Sequence, residues 1–156
     1  MDETVSTVDP QLKQALYELS LVEQELERRR KASGLTYFIP NPPQFQALRA
    51  PGRTIAYVGG NRGGKSTLGA ALLSMHLTRQ YPKCDCHGEW TLPSRRFTAP
   101  IKAVIVVTEF QKIETVVEPK LFSLLPKDWI QSIKRTPQGY IRRIHGKDGG
   151  SVDVLS

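Results

Sequence analysis

Nine consecutive residues, Gly59-Gly60-Asn61-Arg62-Gly63-Gly64-Lys65-Ser66-Thr67, carry the clearest chemistry in the chain. They fit G-x-x-x-x-G-K-[ST], with Gly59, Gly64, Lys65 and Ser66 at the fixed positions. The glycines let successive backbone N–H groups turn into one concavity, an anion nest. A helix opening at Lys65 would add its unpaired N-terminal N–H groups and the positive end of its dipole. So arranged, residues 59–67 would cradle the phosphates of ATP. Lys65 would bridge the β- and γ-phosphates, and the Ser66 hydroxyl would hold Mg²⁺. The competing use of the same residues is a glycine-rich hairpin with a solvated lysine.

Such a loop must leave a strand and enter a helix. Upstream, Thr54-Ile55-Ala56-Tyr57-Val58 is rich in β-branched and aromatic residues and follows the breaker Pro51-Gly52, which predicts the strand. Downstream, Leu68, Ala71, Leu72 and Met75 recur at i, i+3, i+4 and i+7, predicting a helix that Tyr81-Pro82 ends. Pro40-Asn41-Pro42-Pro43 is predicted to be neither helix nor central strand and marks a boundary. Gln44 follows it. A glutamine amide carries a donor and an acceptor, matching the edge of adenine. On spacing Gln44 is preferred to Gln46, and a plain surface glutamine is the alternative.

Two further stretches invite chemistry. Cys84-Asp85-Cys86-His87 has zinc-type ligands. It offers at most three from one tight turn, with His76 the nearby supplement, so a loop with reduced thiols is expected. Ala103 to Val107 is a continuous apolar run, predicting a buried parallel strand. The acid of a metal-holding strand end would stand at Thr108, where a hydroxyl brings no full negative charge. The run is therefore read as structural, with Glu109 near the nucleotide edge as the further option.

Composition bounds the rest. The chain has 156 residues, 39% hydrophobic and 24% charged, about one globular domain. Two cysteines make no disulfide framework, and no apolar run is long enough to span a bilayer. Net charge is +7, unevenly spread: residues 1–32 hold five Lys/Arg against seven Asp/Glu, the remainder seventeen against eight. The basic body suits a polyanion such as nucleic acid, or serves solubility alone. Asp9-Pro10 starts a predicted amphipathic helix through Leu12, Leu16, Leu19, Val22 and Leu26, with Arg28 to Lys31 in its last turns and Gly34 closing it. It is read as packed on its own domain, or else as an interaction helix. Gln111 to Val117 and Leu121 to Leu125 predict two short helices around Pro119. Gly139 to His145 and Ser151 to Leu155 predict strands about the turn Lys147 to Gly150.

Pro42-Pro43-Gln44, the loop at 59–67, Tyr81-Pro82, the strand at Ala103 to Val107, Val117-Glu118-Pro119-Lys120-Leu121 and Gly150-Ser151-Val152 together resemble the ATPase domain of large terminase subunits, the DNA-packaging motors of tailed bacteriophages. The resemblance runs over roughly residues 25–156. It implies an α/β fold of P-loop NTPase type, a parallel sheet flanked by helices, preceded by the amphipathic helix. Residues 1–34 would form the tail and helix, and residues 35–156 the front part of the ATPase domain. It further implies ATP and Mg²⁺ at Lys65 and Ser66, adenine at Gln44, and Arg62 as a cis arginine finger. Family members place that arginine four residues before the lysine, where Asn61 stands here, so a contact from Arg62 to a neighbouring subunit or DNA is the other use. Implied partners are double-stranded DNA, a small terminase subunit, a portal protein and further copies of the full-length chain, in the host cytoplasm. The Walker B acids and nuclease domain are not found in the sequence, and the chain is expected to be a fragment that hydrolyses little ATP alone. A non-catalytic prophage remnant and a small P-loop kinase are the alternative functions.

Overall fold

A computed structural model describes residues 9–32, 34–51, 64–84 and 88–156, with the backbone alone at 29–32 and at 84. The predicted strand Thr54 to Val58, the loop residues Gly59, Gly60, Asn61, Arg62 and Gly63, and Asp85, Cys86 and His87 lie outside the described residues. The chain divides into two compact units, Met1–Lys31 and Ala32–Ser156.

The first unit is helical. Helix α1 (Pro10–Ala32) begins where the Asp9 carboxylate accepts the Gln11 N–H at 2.9 Å. Along it Gln14 donates to Glu18, and Arg28 forms an ion pair with Glu25 at 2.7 Å.

In the second unit the order is α2 (Pro42–Arg49), α3 (Lys65–Thr78), a two-residue ribbon β1 (Lys83–Cys84) and β2 (Gly88–Glu89), β3 (Lys102–Val106), α4 (Glu118–Leu124), β4 (Ile130–Arg135), β5 (Ile141–Gly146) and β6 (Ser151–Leu155). The larger sheet has the strand order β3-β6-β5-β4. β3 runs parallel to β6, pairing Ala103 with Val152 and Ile105 with Val154, whereas β5 is antiparallel to both β6 and β4. The described sheet is thus mixed rather than parallel. The tight turn at Lys147 to Gly150 reverses the chain, and only an antiparallel partner can follow so short a connection. β4, whose alternation is blurred by Lys134 and Arg135, is a strand that the hydrophobic pattern did not predict.

Helix α3 is held on two sides. Leu68, Ala71 and Met75 enter one cluster with Leu35, Ala47, Leu48, Trp90 and Leu124, and Leu77 joins a second with Ile113, Leu121, Leu125, Ile141, Ile144, Val152 and Val154. The second cluster clamps α3 and α4 to the inner face of the sheet. β3 departs from the expected two-sided burial. Ala103, Ile105 and Val107 pack against this cluster, but Val104 is 58% and Val106 75% exposed on the opposite face.

Three local features correct the sequence reading. Pro42 and Pro43 begin α2 instead of excluding it, because the first helical positions have no N–H acceptor to lose. Gly34 opens a 3₁₀ turn, Gly34–Tyr37, and takes no left-handed cap. It is small because a Cβ there would meet the Ser123 carbonyl oxygen at 1.7 Å. Finally, Pro119 does not separate two helices. Residues Ile113–Val117 widen into a π-helical stretch, with the Glu118 N–H reaching Ile113 O, and pass directly into α4. Pro119 is therefore interior to a continuous helix, and the widened turn before it is where the missing donor and the ring are accommodated.

Candidate functional site

The described end of the glycine-rich segment is Gly64, the N-cap of α3, in a left-handed conformation at φ 73°. A side chain at this φ is strained, and a Cβ would also lie 2.4 Å from Gln44 Nε2. Gly64 therefore meets two independent demands for glycine. The helix follows at once: the Leu68 N–H reaches Gly64 O at 2.9 Å. The N–H groups of the first turn, from Lys65 on, precede that first bond and point out of the N-terminal end of the helix. No acidic residue stands in the first turn to neutralise them. The Lys65 and Ser66 side chains are exposed.

Ser66, Gly69 and Ala70 of α3 form one wall of an open cleft of about 570 Å³. Val104 to Val106 of β3, with Val107 and Thr108, form another, and Lys112, Val117 and Lys120 close the third side. Because α3 runs back along the sheet, its N-terminus and the C-terminal end of β3 lie together. This is where open α/β sheets receive ligands. The cleft is mostly apolar, with the Ser66 and Thr108 hydroxyls and two lysines as its polar groups. Lys112 Nζ donates to Thr108 Oγ1 at 3.1 Å and pairs with Glu109 at 3.3 Å. Glu109 is thus an exposed partner of Lys112. As a fit for Mg²⁺, the Ser66 hydroxyl is one hard oxygen of the right kind. The remaining ligands would have to be phosphate oxygens and water, and no group of three or more His, Cys, Asp or Glu capable of holding a metal is found among the described residues.

Gln44 stands differently from expectation. It is 5% exposed, and its amide is already engaged. Oε1 accepts the Asn41 N–H at 2.9 Å, and Nε2 donates to Gly64 O at 3.1 Å. The Asn41 carboxamide in turn accepts the Gln44 N–H at 3.0 Å, completing a reciprocal capping box. Asn-x-x-Gln ahead of an apolar helix is a readable cap signature. The reach from that cap to the start of α3 is not.

His76, the expected supplement to the cysteine loop, is occupied elsewhere. Its Nδ1 lies 3.1 Å from the Tyr81 hydroxyl, which also accepts the Phe97 N–H at 2.8 Å. The Phe97 ring packs edge-on at 4.9 Å. Burial, with the Arg95 charge adding to it, pushes His76 down to about 4, so the ring is neutral at pH 7.

The exposed basic residues of the C-terminal sheet are partly paired. Arg135 binds Glu118 at 2.6 Å and Arg143 binds Asp153, each bond raising the arginine further above its ordinary value. Lys134 and Arg142 are exposed on the same strands. No helix among the described residues is long and apolar enough to cross a membrane. Comparison with protein-family models, with curated proteins and with solved structures finds no match to this chain.

Proposed function

We propose that residues 59–67 bind ATP with Mg²⁺, and that the chain is the ATP-binding part of a DNA-packaging motor of the large terminase kind. One observation carries the nucleotide reading: a left-handed Gly64 caps α3 so that Lys65 and Ser66 open its first turn beside the C-terminal end of β3. Lys65 supplies the ammonium for the β- and γ-phosphates, and Ser66 a hydroxyl ligand for Mg²⁺. Arg62 acts as the arginine finger of the same loop. The motor reading rests on the sequence resemblance together with the basic body. Double-stranded DNA, a small subunit, a portal and other copies of the full-length chain are its partners, in the host cytoplasm.

The test is titration of the full chain with Mg·ATP. Wild type is expected to bind, and Lys65→Ala to lose about tenfold or more in affinity, the value of one or two charge-assisted hydrogen bonds. Unchanged affinity in a folded Lys65→Ala sample would overturn the reading. Phosphoryl transfer to a small acceptor in the absence of DNA would replace the motor with a kinase.

A further inference from the structure

We infer that Gln44 is a positioning residue for the phosphate-binding turn and does not read the base. The inference rests on the reading of Gly64, Lys65 and Ser66 as phosphate-binding. The Gly64 carbonyl oxygen has two lone pairs and takes two donors, the Leu68 N–H at 2.9 Å and Gln44 Nε2 at 3.1 Å. That carbonyl shares a peptide plane with the Lys65 N–H, and the plane is rigid, so the N–H points opposite to the C=O. Fixing Gly64 O therefore aims the Lys65 N–H, one of the donors offered to the polyphosphate. The glutamine is itself fixed. It is 5% exposed, its Oε1 is held by the Asn41 N–H at 2.9 Å, and its own N–H by the Asn41 side chain at 3.0 Å. The amide edge that would face adenine is thus spent on α2 and on the start of α3. Gly64 has no Cβ where one would stand 2.4 Å from Nε2, so the close approach depends on glycine at one end and glutamine at the other.

Two substitutions separate positioning from folding. Gln44→Glu keeps an acceptor for the Asn41 N–H, as glutamate does in ordinary capping boxes, but an ionised carboxylate has no proton for Gly64 O. Gln44→Met removes both bonds without adding charge. The full chain and both variants are titrated with Mg·ATP, Mg·GTP and inorganic tripolyphosphate, well below the melting temperature of each. The inference expects all three affinities to fall by a common factor, about three- to tenfold for the neutral Gln44→Met. Gln44→Glu should lose at least as much in affinity, and its buried carboxylate, with no proton to give Gly64 O, should lower the melting temperature as well. A purely structural role would lower the melting temperature and leave the affinities of the folded fraction alone, which overturns the inference. So does a loss confined to ATP with GTP and tripolyphosphate unchanged, since that is base recognition. A wild-type chain that binds none of the three overturns the phosphate-loop reading itself, and the inference with it.

Discussion

Helices α1 and α3 are announced by the same signal, apolar residues at steps of three and four, yet they end in opposite surroundings. In α3 that stripe is interior: Met75 is 0% exposed and packs with Leu68 and Ala71 in the core. In α1 the corresponding leucines stay in contact with solvent, Leu19 at 54% and Leu16 at 55%. α3 is held by packing within its own unit, and within its own unit α1 has local terms such as the Asp9 cap and the Glu25–Arg28 pair. Periodicity therefore reports which face a helix prefers to bury, and leaves open whether anything is there to bury it.

The sharpest way to break the comparison is to truncate matched positions. Met75→Ala should cost about 2–5 kcal/mol, a buried methionine traded for a cavity. If denaturant melts of the full chain show a loss as small as that of a surface change, α3 is not the buried helix described here. Gly64→Ala comes next, at about 1–3 kcal/mol, because it combines a left-handed φ with the contact to Gln44 Nε2. The same melts read it, and a neutral outcome would mean that the turn relaxes.

Acid tests the side of α3 that faces Tyr81. His76 is held neutral, with its folded value of about 4 below the ordinary 6.5. Between those two values the unfolded chain binds the extra proton, so stability is complete above about pH 6.5 and declines toward pH 4. His76→Phe should flatten that part of the pH profile. A slope that survives the substitution would assign it to other groups. For α1, Asp9→Ala should lower the helicity of a peptide spanning residues 9–32, with a cost of about 0.5–2 kcal/mol for the lost cap. Leu19→Ala in the full chain should lie within about 0.5 kcal/mol of wild type. A cost of several kcal/mol there would show that α1 buries its stripe after all.

Much of this was legible in the residues. Asp9-Pro10 marks the start of α1, the turn at Lys147 to Gly150 joins β5 to β6, and the apolar run at Ala103 to Val107 marks β3, all because the signals are local. What escaped depends on distant partners. β4 was hidden because Lys134 and Arg135 interrupt its alternation, and it exists by pairing with β5. Arg79 ends α3 in a left-handed conformation normally given to glycine, with its guanidinium 2.7 Å from Asp148, a partner 69 positions away. Gln44 looked like a free amide because nothing in its neighbourhood reveals that Gly64 O lies within reach.

From the order of amino acids alone come the G-x-x-x-x-G-K-S match at Gly59 to Ser66, the helix caps, the proline and glycine breaks and the periodicities, since each is settled by a few adjacent residues. Tertiary structure alone decided that β3 pairs with β6, that the apolar stripe of α3 packs into two clusters, and that Gln44 grips the first turn of α3. Those outcomes turn on which surfaces meet across tens of residues, and no local preference specifies that.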